Sequence, residues 1–330
     1  MSAPDSPEQT AQLAAAQRAG GDELFIVLNA ASGRSGEQDR AQLVTAMLQA
    51  SGRAFRFIPC ETAGLPGACE RAAQLAGANA GVLVAVGGDG TINCAAQAAL
   101  RHGCPLGVVA QGTFNLFARE HGLPQELEQG VRALLAASPE PVQVGLVNER
   151  VFLANAAVGL YPKLLEDRES AKQQLGRRRR WVAVAAGLVS LLGWRWKMTL
   201  DAELDGHFTR LRTPSLFVCN NRLQLRRVGI GDDLTNQVGR GRMAALVAHP
   251  LGTWGKLKLL LRAIAGRLGD AHELDCLSLR SLDVSTRSAR KLKVATDGEV
   301  QWMQLPLRFA VSPKPLLLLM PREEDKVPAE

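Results

Sequence analysis

GVLVAVGGDGTIN, residues 81–93, decides how the first half of this chain folds. The apolar run 81–86 reads as a buried strand, GGDGT as a turn, and the residues from Ile92 to Leu100 as an Ala-rich helix. Glycines in such a turn let backbone N–H groups approach phosphate oxygens without a Cβ clash, and they permit φ > 0. The helix that follows points the positive end of its dipole at the same place. Asp89 lies between the glycines, within reach of a bound Mg²⁺ or a reacting hydroxyl. The alternative is a tight strand–helix turn whose aspartate is incidental.

The pattern repeats on either side. LFIVLN (24–29) is a strand running into the loop ASGRSG and a helix over 37–51. AFRFIPC (54–60) and residues 66–78 form a second strand and helix, and LGVVA (106–110) a fourth strand before QGTFN and another helix. Strands alternating with helices imply right-handed βαβ units and a parallel sheet. Gly-rich turns at 30–36, 87–91 and 112–115 all fall at strand ends, where such sheets bind ligands. Neither GxxxxGK[ST] nor a helix-opening GxGxxG occurs, so a P-loop and a dinucleotide fingerprint are both excluded.

After about residue 140 the pattern changes. VQVGLV (142–147), RVFLANAAVGL (150–160), KMTLDAEL (197–204), SLFVCN (215–220), RMAALVAH (242–249), LDCLSL (274–279), LKVAT (292–296) and LRFAV (307–311) are strand-like, with helices near 178–193 and 252–267. This predicts a flexible tail over 1–20, an α/β domain over 21–143 and a β-rich domain over 144–311. LLLLMP (316–321), within 312–325, is free to return to either domain.

With 330 residues, 39 basic and 32 acidic side chains, the chain is long enough for about two domains with sizeable cores. Residues 161–240 hold 15 Lys/Arg and 8 Asp/Glu, which accounts for the whole net charge of +7. A local excess of this kind points to an anionic partner. The six cysteines form no CxxC pair and the five histidines no HExxH, which argues against a zinc site and for reduced thiols in a cytosolic setting. Residues 1–20 lack the basic and apolar segments of a signal peptide. The longest apolar run, Trp181–Trp194, falls short of the ~20 residues that span a bilayer.

NAASG (29–33), GGDGTIN (87–93), PLGVVAQGTFNLFARE (105–120), NAAVGLYPKLLEDRE (155–169) and TDGEVQWMQLPLRF (296–309) together resemble, in order, the diacylglycerol kinase catalytic family, which includes bacterial lipid kinases and the sphingosine and ceramide kinases. The resemblance covers residues 24–321. It implies an NAD-kinase-like α/β nucleotide-binding domain followed by a β-sandwich-like domain, with the active site in the cleft. ATP would be held by Asn29, Ser32 and Gly33, by Thr62, by Gly87, Gly88, Asp89, Gly90, Thr91 and Asn93, and by Gly112, Thr113 and Asn115. Asp297-Gly298-Glu299 matches the family's DGE. There Glu299 would accept the proton of a lipid hydroxyl, with Asp297 orienting it or binding metal and Asp89 as the rival base. The implied reaction moves the γ-phosphate of ATP, with Mg²⁺, to a lipid hydroxyl, converting diacylglycerol to phosphatidic acid.

Three positions depart from the family pattern. Leu116 and Cys94 stand where many relatives carry Asp and Glu, and Arg240 stands near an expected Asp of a structural Mg²⁺ site. A guanidinium cannot ligate Mg²⁺, which leaves Asp232 and Asp233 as substitute ligands or loop caps. Arg177–Arg180 precede the Trp-flanked run, so this segment is read either as a core helix or as a membrane element whose arginines meet anionic phospholipid headgroups. Nucleic acid is not expected as a partner, and the expected location is the inner face of the cytoplasmic membrane. The rival functions are a soluble-substrate kinase of the NAD kinase type and a nucleotide- or lipid-binding regulator without turnover.

Overall fold

β1 (Glu23–Leu28), β3 (Val82–Gly87) and β4 (Leu106–Ala110) pair in parallel and are buried along nearly their whole length, as expected of strands covered on both faces. They lie in a computed structural model that describes residues 23–29, 34–60, 64–166 and 198–328. The chain divides into two compact units. One comprises the residues up to Gln143 together with those from Ser312 onward, and the other is Val144–Val311.

In the first unit the sheet order is β2-β1-β3-β4-β18-β5, where β2 is Ala54–Phe57, β5 Ser138–Val142 and β18 Leu316–Met320. Helices α1 (Arg34–Ser51) and α5 (Leu127–Ala136) pack Val44, Leu48, Val131 and Leu134 against Leu24, Ile26, Val84 and Val109. Helices α2 (Gly64–Ala78) and α3 (Asp89–His102) bury a series of alanines, whose small side chains let the two helices approach closely. A short helix, α4 (Leu116–Glu120), follows β4. The C-terminal strand β18 enters this sheet between β4 and β5.

The run 142–147 is not one strand. It ends β5 in the first unit and, after Gln143 and Val144, begins β6 (Gly145–Val147) in the second. Pro139 and Pro141 hide β5 from a propensity reading, but β5 pairs only with β18, and an edge strand tolerates residues that lack N–H.

The second unit has two six-stranded antiparallel sheets. One has the order β10-β9-β14-β17-β6-β7, with β7 Arg150–Phe152, β9 Met198–Leu204, β10 His207–Thr213, β14 Ser281–Ser285 and β17 Leu307–Val311. The other is β13-β12-β11-β8-β15-β16, with β8 Asn155–Gly159, β11 Ser215–Cys219, β12 Met243–Ala248, β13 Leu274–Leu279, β15 Lys291–Thr296 and β16 Glu299–Gln304. Phe152, Leu200, Leu282 and Phe309 of the first sheet share one core with Leu216, Val218, Met243 and Val294 of the second, as in a β-sandwich. Three further helices, α6 (Arg222–Arg227), α7 (Asp232–Thr235) and α8 (Thr253–Ile264), complete the unit with helical residues 160–166. The predicted helix near 178–193 lies outside the described residues.

Two Asp-Gly turns tie the sandwich together. Asp297-Gly298 joins β15 to β16 and Asp205-Gly206 joins β9 to β10, with φ of 48° and 93°, and 45° and 89°. Positive φ at both central residues is the signature of a type I′ hairpin. Each aspartate also reaches across to a point where the chain crosses between sheets. Asp297 Oδ2 accepts the N–H of Leu153 at 2.7 Å, and its Oδ1 those of Ala154 and Asn155 at 2.8 and 3.0 Å, where β7 passes into β8. Asp205 Oδ1 accepts the N–H groups of Arg280 and Ser281 at 2.8 and 2.9 Å, where β13 becomes β14.

Burial works to raise the Asp205 pKa, but those N–H donors and Arg242 outweigh it and hold the carboxyl below its ordinary 3.8. Its stabilising contribution is therefore fully present above the unfolded pKa and is lost as pH falls through the lower folded value. In chemical denaturation, Asp205→Asn is expected to be less stable than the parent near neutral pH, with the gap closing below about pH 3.8. A gap that stays constant well below that pH would remove this role from the carboxylate.

Candidate functional site

Because β1, β3 and β4 run parallel, their carboxyl ends bring Asn29, Gly87–Thr91 and Gln111–Asn115 to one edge of the first sheet. Side chains lace these segments together. Asn29 Nδ2 donates to Thr91 Oγ1 at 3.0 Å, and the Asn29 N–H donates to the Val86 carbonyl. Asp89, the first residue of α3, accepts the N–H of Asn115 on Oδ2 at 3.0 Å and that of Leu116 on Oδ1 at 3.1 Å. Asn115 sits at φ 48° and closes its own loop. Its Oδ1 accepts from the Gly112 N–H, and its Nδ2 donates to the Gly112 carbonyl and to Gln125. Burial pushes the Asp89 carboxyl up, against the two N–H donors that pull it down.

Glycine is required at the contact between the second and third loops. A Cβ on Gly112 would lie 2.6 Å from Asn115 Oδ1 and 2.8 Å from the Gly88 Cα. Gly88, at the N-cap of α3, carries no side chain to cap the helix. The N-terminus of α3, close-packed glycine backbone and an αL asparagine make a surface suited to a phosphate chain, which is the fit ATP requires. Gly90, Thr113 and Asn93 belong to the same segments, with Thr113 exposed and Asn93 buried within α3. Ser32, Gly33 and Thr62 lie outside the described residues. A cavity of about 350 Å³ near Arg101, His102 and Lys314 opens at the opposite strand ends and plays no part in this platform.

In the second unit, Glu299 begins β16 with an exposed side chain whose Oε2 is 3.1 Å from Arg150 Nη2. Arg150 had no signal in the sequence, because the two residues lie far apart in the chain. Asp297 has both carboxylate oxygens engaged with backbone N–H groups, as described above.

An apolar cavity of about 490 Å³ lies among helical residues 160–166, α6, α8 and strands β11–β13. Leu160, Leu164, Phe217, Leu225, Leu246 and Leu259 are among the apolar residues of its wall. Ser215, Gln224 and His249 are polar residues of its lining; Gln224 Oε1 accepts from Asn155 Nδ2 at 3.0 Å, while Asn155 Oδ1 is buried with no hydrogen-bond partner. Sequence reasoning missed this cavity, since its wall comes from six separate stretches of chain.

Asp232 opens the four-residue α7 and faces Arg226 at 3.9 Å, and Asp233 lies beside it, exposed. Among the described residues no cluster of three His, Cys, Asp or Glu side chains suited to a metal forms there or elsewhere. A divalent cation carried by the nucleotide needs no such cage, since phosphates and water supply most of its ligands.

The match to known proteins follows the platform. Residues 23–147 match the diacylglycerol kinase catalytic domain family. A diacylglycerol kinase from Staphylococcus aureus (strain bovine RF122) is 29% identical over 136 residues, covering 41% of this chain and 42% of the relative. An uncharacterized Synechocystis protein, sll0036, is 27% identical over 254 residues, covering 74% of this chain and 55% of its own length. The aligned region thus spans about half the length of these curated relatives. The crystal structure of a diacylglycerol kinase from Bacillus anthracis str. Sterne superimposes with a TM-score of 0.67 at 17% identity, over 92% of this chain and 98% of that one. The α/β plus β-rich arrangement is therefore the diacylglycerol kinase fold.

Replacing Asp89 with Asn leaves one acceptor oxygen for the N–H groups of Asn115 and Leu116. Asp89→Asn is expected to cost about 1–3 kcal/mol in urea denaturation and to weaken ATP binding in calorimetry. Wild-type values in both would show that the bridge holds nothing in place.

Proposed function

We propose that this chain is an ATP-dependent lipid kinase that phosphorylates a lipid hydroxyl, with diacylglycerol as the leading acceptor and phosphatidic acid as its product. The observation that carries the reading is the apolar cavity of the second unit, which suits acyl chains rather than a soluble dinucleotide. Its lining, which is mostly apolar but includes Tyr161 and His249, holds no lysine or arginine for a phosphorylated acceptor such as NAD. The laced glycine loops of the first unit supply the nucleotide half, in keeping with the family match.

Bound Mg²⁺·ATP would supply the γ-phosphoryl group and neutralise its developing charge. Gly87–Thr91, Gly112 and Asn115 would hold the phosphates by backbone N–H groups, and Asp89 would keep the two loops in register. Glu299 is assigned the proton of the attacking hydroxyl, with Arg150 fixing the orientation of its carboxylate. Asp297 is assigned a positioning role, because its oxygens already hold the β7–β8 crossing. The basic run Arg177–Arg180, outside the described residues, is proposed to meet anionic headgroups on the cytoplasmic face of the membrane. No described helix is long and apolar enough to cross that membrane.

The test is transfer of radiolabelled phosphate from ATP, offered a total lipid extract, purified diacylglycerol and NAD in parallel. Label in a lipid of the mass of phosphatidic acid is the expected result. Label in NAD alone, or ATP binding with no transfer, would overturn the reading. Glu299→Gln keeps the side chain's shape but cannot take a proton, so turnover should fall by about 10²–10⁴ with ATP affinity unchanged. Turnover near that of the parent would move the base to another carboxylate, with Asp89 next in line.

A further inference from the structure

The strand-rich second unit carries one helix with an exposed apolar stripe. Among the described side chains of α8, Trp254, Lys258, Leu261 and, just beyond its end, Ala265 are exposed, spaced i, i+4, i+7, i+11 along a single line. Trp254 is 83% exposed and Leu261 57%, two of the few large apolar side chains left in solvent. Scattered exposed leucines need no explanation, but a tryptophan and a leucine aligned on one helix face do. On its other side the helix contributes Leu259, and Leu251 precedes it, to the wall of the apolar cavity. The same helix thus borders the cavity and presents an apolar ridge outward.

The charge around the ridge is predominantly basic, with Asp270 and Glu273 the acidic residues that follow it in the chain. Residues 251–269 contain Lys256, Lys258, Arg262 and Arg267 and no acidic residue. Glu273 is the carboxylate beside them, 2.8 Å from Arg262 and 3.6 Å from Lys258, so one anion is shared between two cations. Arg227, exposed, adds to the cluster, its carbonyl against Gly266 just past the helix. A tryptophan with a leucine on an exposed stripe among unbalanced cations is the pattern of a helix lying in the headgroup layer of an anionic bilayer.

We propose that α8 is a membrane-docking helix, with Trp254 and Leu261 entering the interface of an anionic bilayer and the surrounding cations meeting its headgroups. The proposal rests on the lipid-kinase reading for its purpose: docking here sets the cavity wall at the surface from which an acyl chain must come. It is a different element from Arg177–Arg180. A second copy of this chain, or the chain's own Trp181–Trp194 segment, would compete for the same stripe.

The experiment compares the full chain with Trp254→Ser/Leu261→Ser and with Lys258→Glu. Each is sedimented with vesicles of phosphatidylcholine, with or without phosphatidylglycerol. The double variant should bind the anionic vesicles at least about tenfold more weakly, since both apolar side chains leave the interface. Lys258→Glu should weaken binding to the anionic vesicles only. The KM for diacylglycerol in bilayers should rise with the double variant, while kcat on dispersed short-chain diacylglycerol stays unchanged.

Vesicle binding equal to that of the parent would overturn the proposal. So would a double variant that changes only the self-association of the protein in analytical ultracentrifugation, or one that binds vesicles more tightly because an internal segment had been released. The two readings separate cleanly. If the parent phosphorylates no lipid yet needs Trp254 and Leu261 to bind vesicles, the activity reading fails and the docking helix stands. If it phosphorylates lipid while the variants bind as it does, the docking helix fails and the activity stands.

Discussion

A carboxylate at the start of a helix holds the candidate nucleotide platform together. Asp89 accepts the N–H groups of Asn115 and Leu116, and through them the second glycine loop is bolted to the third. Glycine loops at parallel strand ends are individually pliant. Without a fixed tie, their N–H groups would lose the convergence that makes them useful to an anion. The same carboxylate is partly buried, and burial favours its neutral form. The two N–H donors oppose that tendency. Asp89 is thus held between two environments, and its bonding explains why an aspartate between glycines can serve a loop's architecture before any chemistry.

The second unit uses the device again, on a different scale. A β-sandwich is weakest where the chain leaves one sheet for the other, because ladder hydrogen bonds stop there and backbone groups must find other partners. Asp297 covers the crossing between β7 and β8, and Asp205 the crossing between β13 and β14. Both sit in Asp-Gly type I′ turns, whose positive φ throws the aspartate side chain back over the sheet edge. The recurrence bears on function. Asp205 performs this task with no part in the Asp-Gly-Glu segment, so the bonding of Asp297 is sufficiently explained by structure, which leaves Glu299 as the carboxylate of that segment with an exposed side chain.

Much of the first unit was legible because its signals are local. β1, β3 and β4 are apolar runs that end in glycine, and the strand–turn–helix rhythm implies a parallel sheet. Non-local pairing defeated the same reading elsewhere. The single run 150–160 divides into β7 and β8 on two sheets, and 142–147 divides between two units, because hydrophobicity marks burial and not the sheet that does the burying. β10, with its exposed edge, and β16 lack a clear period-2 alternation and were passed over. The glycine loops could be picked out by residue type. The Asp89–Asn115, Arg150–Glu299 and Gln224–Asn155 bonds and the cavity itself could not, since each joins residues distant in the chain.

By itself, the sequence determined the class of each half, the positions of the glycine-rich turns and the likeness to the diacylglycerol kinase catalytic family. Those features depend on residue type and short-range spacing, which backbone sterics and burial translate directly into local structure. Only the tertiary structure decided that β18 closes the first sheet between β4 and β5, that Asp297 is bound to backbone while Glu299 stands exposed beside Arg150, and that an apolar cavity opens behind α8. These depend on which distant segments meet. That choice is made by the summed packing of whole sheets and by the need to pair every buried N–H, not by any one stretch of residues.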